Sequence, residues 1–86
     1  MAERKELHVD QARQILRQVS HPMWSPSDDF DLLTMKAGGQ NFHDIADWLG
    51  RQRLAVEQRY HRLRVVPRIS EALRVSGLTS EPYQAG

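Results

Sequence analysis

Helix starts and stops crowd the middle of this chain and leave little freedom in what it can fold into. Ser25 is a good N-cap, Pro26 suits the first helical position, and Asp28 completes an S-x-x-D capping pattern. Asp28, Asp29 and Asp31 lie near the positive end of that helix dipole. Leu32, Leu33 and Met35 supply its apolar side, and Gly38-Gly39 provides a left-handed stop. Asn41 can cap the next helix with Asp44 three residues later; Ile45, Ala46 and Leu49 form its inward stripe and Gly50 ends it. Another helix begins near Gln52 with Ala55, Val56, Tyr60 and Leu63 on one side. A helix-Gly-helix connection this tight is the layout of a helix-turn-helix.

The flanks also read as helical. Over residues 3–19, Val9, Ala12, Ile15, Leu16 and Val19 recur at helical spacing, and His21-Pro22 ends the run because a residue before proline is pushed out of the helical region. From Pro67 to Ser76 a short helix is predicted with Ile69, Ala72 and Leu73 inward and Gly77 as its stop; residues 78–86 read as a flexible tail. The expected fold is all-α. An N-terminal amphipathic helix occupies 1–21, a three-helix helix-turn-helix core 22–65, and a short C-terminal helix 66–77.

At 86 residues there is room for one domain and one small core. No apolar run approaches the length that spans a bilayer, and the charged start Glu3-Arg4-Lys5-Glu6 lacks the apolar stretch of a signal peptide. Without cysteine there is no disulfide, thiolate metal site or thiol nucleophile, and a cytoplasmic location is expected, nucleoid-associated if the host is bacterial. The formal charge of +1 hides an asymmetry. From Ser25 to Gly50, Lys36 alone faces five aspartates, a balance of −4; from Arg51 to Arg68, six arginines face Glu57, a balance of +5. One edge of the molecule is therefore suited to a polyanion.

Residues 24–63 resemble the Myb/SANT-like helix-turn-helix domain, a Trp followed by an acidic pair, an aromatic before Ile-Ala, then Gly-Arg and a third aromatic. Here these are Trp24, Asp28-Asp29, Phe42, Ile45-Ala46, Gly50-Arg51 and Tyr60. The tight Leu49-Gly50-Arg51 turn and the ending His61-Arg62-Leu63 are more similar to bacterial variants, including GcrA-type cell-cycle regulators, and they also resemble the fourth region of sigma factors. The resemblance implies that the third core helix, about 52–65, enters the major groove of double-stranded DNA. It also implies that Arg59 pairs with Asp28 or Asp29. Trp24, Phe42 and Tyr60 read as core residues rather than stacking platforms for bases. Two positions depart from the family pattern. Gln52 stands where Ser or Thr usually caps the third helix, and Glu57 stands where Lys is common on the reading face.

With Ala55, Val56, Tyr60 and Leu63 inward, Leu54, Glu57, Gln58 and His61 share the opposite side and are the candidate base contacts. Gln58 can pair bidentately with adenine, Leu54 can touch a thymine methyl, and Glu57 can accept from a cytosine amino group. Arg51, Arg53, Arg62 and Arg64 flank that strip and suit phosphate contacts. Phe30 and Trp48 fall where the family pattern has polar residues. Either a flanking helix covers them, or they form a surface for a protein partner or a homodimer.

His8, His21, His43 and His61 show no metal-ligand spacing, and Asp28-Asp29-Phe30-Asp31 lacks the spacing and glycine of a calcium loop. No catalytic set stands out, so no enzyme activity, cofactor, metal or small-molecule substrate is expected. The expected function is that of a small DNA-binding transcriptional regulator. The alternatives are a SANT-like protein-interaction module and a small adaptor subunit of RNA polymerase or of a phage-type packaging assembly.

Overall fold

The computed structural model describes residues 7–76. The first residues of the predicted N-terminal helix, the Gly77 stop and the predicted tail over 78–86 lie outside the described residues. Within them the chain is all-helical: α1 (Val9–Arg17), α2 (Pro26–Ala37), α3 (Phe42–Leu49), α4 (Arg53–Arg64) and α5 (Ile69–Ser76). No strand forms among the described residues; the nearest approach is an isolated bridge between His21 and Trp24 in the α1–α2 connection.

The internal caps are local and match their sequence signals. The Ser25 hydroxyl accepts from the Asp28 N–H at 3.1 Å and the Asp28 carboxylate accepts from the Ser25 N–H at 3.3 Å, a reciprocal capping box on α2. Asn41 accepts from the Asp44 N–H at 2.8 Å and starts α3. Gly38 is the C-cap of α2, and it is Gly39, with φ +92°, that takes the left-handed turn. Gly50 ends α3 with φ +69° and ψ +37°. Nothing lies within 4 Å of a Cβ built on Gly50, so only backbone strain opposes a side chain there. Gly50→Ala is expected to lower stability by about 1–2 kcal/mol, the left-handed penalty of a non-glycine residue, read as a reduced urea midpoint with an unchanged slope. Gln52 has the extended backbone of an N-cap but makes no side-chain cap bond to α4. Gln52→Ser is accordingly expected to raise stability by roughly 1 kcal/mol in the same assay.

α1 packs chiefly on α5, α5 reaches α2, and α2, α3 and α4 pack on one another. One buried cluster runs through all five helices, with Leu16, Leu32, Ile45, Val56, Leu63 and Leu73 among its members. Full burial of each such side chain contributes about 1.5–3 kcal/mol. Trp24 is buried, while Phe42 and Tyr60 are half-buried and meet edge to face with ring centroids 5.5 Å apart.

α1 departs from its sequence reading at both ends. Val9, at the open end of the apolar stripe, stays exposed, and Leu7 ahead of the helix is buried instead. The Leu7 N–H donates to the Glu71 carboxylate at 3.2 Å, which ties the start of the described chain to α5. Hydrogen bonds from Arg68 hold the Glu71 carboxyl below its ordinary range against the opposing effect of desolvation. A depressed carboxylate contributes stability above its unfolded pKa and loses it as pH falls through the folded value, so this link weakens on the acid side.

At its far end α1 stops with Gln18 as C-cap, four residues before Pro22. Proline is therefore not what ends it. The Gln18 carbonyl accepts from Arg62 Nη2 at 2.7 Å and the Val19 carbonyl accepts from Arg59 Nη2 at 2.6 Å. Carbonyls left over at the helix end are taken by arginines of α4, a tertiary cap with favourable sign for the negative end of the dipole.

Arg59 is the pivot of this arrangement. Its Nε and Nη2 donate to the two carboxylate oxygens of Asp29 at 2.9 and 2.8 Å, and the two side chains are only 5% and 0% exposed. A bidentate pair fixes the angle between α2 and α4, because both planar groups must face each other squarely.

Candidate nucleic-acid interface

α4 divides into two sides. Val56, Arg59 and Leu63 point into the core; Leu54, Gln58 and His61 are exposed, with Leu54 at 61%. Glu57 is half-buried and ion-paired with Arg53 one turn earlier. The acid that counts against phosphate binding is thus neutralised within its own helix. Such a pair on a helix surface is worth only about 0.3–0.5 kcal/mol, so either partner is readily recruited by a ligand. The His61 imidazole leans on the Phe42 and Tyr60 rings, with centroids 6.4 and 5.8 Å away.

The four candidate phosphate contacts differ in how free they are. Arg51 is engaged internally: its Nη2 donates to the Asp28 carboxylate and to the Met23 carbonyl, each at 2.7 Å, and its guanidinium lies 4.0 Å from the Trp24 ring centroid. Its Nε is buried and has no hydrogen-bond partner among the described residues. Arg51 therefore fastens the start of α4 to the start of α2, and its charge is largely spent on Asp28. Arg53 is well exposed and, among the described residues, held by Glu57. Arg62 is exposed and anchored through one N–H to Gln18, which leaves further donors of its guanidinium for a ligand. Arg64 is exposed, with its guanidinium 5.8 Å from the Tyr60 ring centroid.

A groove of about 430 Å³ runs between the α1–α2 connection and α4, lined by His21, Met23, Trp24, Arg51, Ala55, Gln58, Arg59 and Arg62. It joins Gln58 and Arg62 to the turn carrying His21 and Met23. Met23 is 67% exposed, and the His21 Nδ1 accepts from the Met23 N–H at 3.0 Å, which orients the imidazole. In the sequence His21-Pro22 reads as a helix stop, and the short Pro-containing link between it and Trp24 gives no sign that it forms a second wall beside α4.

Phe30 and Trp48 part company. Phe30 is half-buried and packs against the core, so it belongs to the interior rather than to an interface. Trp48 is 65% exposed on α3. Among the described residues no three His, Cys, Asp or Glu side chains are placed to hold a metal ion, and no helix is long and apolar enough to cross a membrane.

No protein-family model, characterised protein or solved structure matches this chain.

Proposed function

We propose that residues 22–65 form a Myb/SANT-like helix-turn-helix and that the protein binds double-stranded DNA through α4 as a small transcriptional regulator. The observation that carries this reading is the outer side of α4: Leu54, Gln58 and His61 stand exposed among Arg53, Arg62 and Arg64, while Val56, Arg59 and Leu63 are buried on the inner side. α4 enters the major groove. Gln58 then presents its amide to an adenine edge and Leu54 its methyls to a thymine. Glu57 is available to a cytosine amino group once Arg53 turns to the backbone.

Arg53, Arg62 and Arg64 contact phosphates and set the position of the helix without reading sequence. The turn at His21 and Met23 flanks the strand that passes Arg62. Arg51 and Arg59 act indirectly, by holding α4 at its angle to α2 through Asp28 and Asp29. Rigid support of this kind is what lets a single amide discriminate bases, since loose placement loses bidentate geometry.

The test is fluorescence anisotropy with labelled random-sequence duplex DNA across a series of salt concentrations. Three phosphate contacts imply that log K falls against log salt with a slope of roughly −2.7, from 0.9 per contact. A slope near that value, with binding at low salt, supports the reading. No binding at low salt would sink it.

A further inference from the structure

A second groove, of about 470 Å³, lies between α2 and α3 and has the opposite character. Each helix contributes an aspartate and, one turn on, an apolar side chain: Asp31 and Met35 from α2, Asp44 and Trp48 from α3, with Gln40 of the connecting loop. The Trp48 indole is 65% exposed. Among the described residues neither aspartate has an ion-pair partner. Lys36, the one base between Ser25 and Gly50, does not line the groove; its ammonium lies 4.2 Å from the Phe42 ring centroid and donates to the Gln40 carbonyl.

We propose that this groove docks a basic segment of a partner protein, seating one arginine or lysine side chain against the Trp48 indole between the Asp31 and Asp44 carboxylates. The indole face attracts a cation, and the carboxylates accept its charge-assisted hydrogen bonds. Met35 offers apolar surface to the aliphatic stem. The charge of the surrounding segment, −4, repels nucleic acid and selects a cationic partner. Asp31 gains in particular. Partial burial, and then the nearby Asp28 charge, push its carboxyl above the usual range, and a bound cation offsets both effects. Arg51 and Arg59 of a second copy are paired with carboxylates of their own molecule, so a second copy could compete for the groove only through its more exposed bases, an outcome the test below separates.

The docking does not depend on DNA binding, because none of its residues lies on α4. It is tested with the whole protein and a short arginine peptide, acetyl-RGRGRG-amide, followed by the two indole N–H resonances in proton–nitrogen NMR. The Trp48 indole signal is expected to shift saturably while that of buried Trp24 stays in place, and an acetyl-EGEGEG-amide control should move neither. Trp48→Ala is expected to weaken binding roughly tenfold. Asp31→Asn with Asp44→Asn should weaken it at least as much while leaving the Trp48 ring to report. An unmoved Trp48 signal at millimolar peptide, or an equal response to the acidic peptide, overturns the proposal. Self-association of the protein alone in sedimentation equilibrium, lost in Trp48→Ala, assigns the groove to a second copy and overturns it as well.

Discussion

Asp29→Ala is expected to destabilise the fold by about 3–5 kcal/mol, because it leaves Arg59 buried and charged without a counter-ion. The loss is large against the 5–15 kcal/mol that holds a domain of ordinary stability together. The Arg59 guanidinium is only 5% exposed, at the floor of the groove between the α1–α2 connection and α4, so water replaces the lost carboxylate poorly. It would keep its bond to the Val19 carbonyl, but that single neutral acceptor cannot replace a bidentate carboxylate. Urea unfolding followed by circular dichroism reads the change directly. The double variant Asp29→Leu with Arg59→Met is the informative companion. Removing both charges together and filling the space with apolar groups is expected to restore most of the loss, as buried ion pairs often exchange neutrally for hydrophobic ones. If Asp29→Ala costs less than about 1 kcal/mol, the pair is not desolvated as described and the α2–α4 angle is held by packing alone.

The second large effect concerns α4. Under the proposed DNA-binding function, Gln58→Ala is expected to weaken binding to the preferred site by about 1–3 kcal/mol while leaving binding to random duplex nearly unchanged. Gln58 is exposed and caps nothing, so the protein should unfold at the same urea concentration as the unaltered chain. Arg64→Ala should behave in the opposite way, weakening binding to every sequence alike and reducing the salt slope by about 1. Arg62→Ala is expected to combine two losses, one phosphate contact and the cap on the α1 carboxy end, so its affinity must be compared with its unfolding midpoint. A Gln58→Ala protein that loses affinity equally on specific and random DNA would remove the base-reading role.

The α2 and α3 caps, the Gly50 stop and the inward stripes of α3 and α5 were legible in the sequence because each depends on residues within four positions of one another. Ser25 meets Asp28, Asn41 meets Asp44, and Gly50 answers to its own φ. Side chains this close along a chain have few alternative partners, so local chemistry settles them. The Arg59–Asp29 pair was anticipated only because the resemblance supplied it; spacing along the chain carries no sign of a contact between residues 30 apart.

Where α1 ends is not legible locally for the same reason. Pro22 was the local stop signal, yet Arg62 and Arg59 reach back 44 and 40 residues to the Gln18 and Val19 carbonyls. Likewise, Arg51 and Arg62 carry identical side chains on one basic stretch, and only the fold distinguishes them. One is pressed between Asp28 and Trp24, while the other keeps donors facing outward.

Phe30 and Trp48 make the division plain. Both break the expected polar pattern of an exposed helix face, and nothing in the order of residues separates them. Phe30 is packed against the core and Trp48 left bare, because burial depends on which surfaces the other helices have already covered. Periodicity and capping are short-range and fix which residues become helix. Burial, the spending of charge on internal partners and the residues left free for a ligand are set by contacts across the whole chain, and those exist only once the helices have packed.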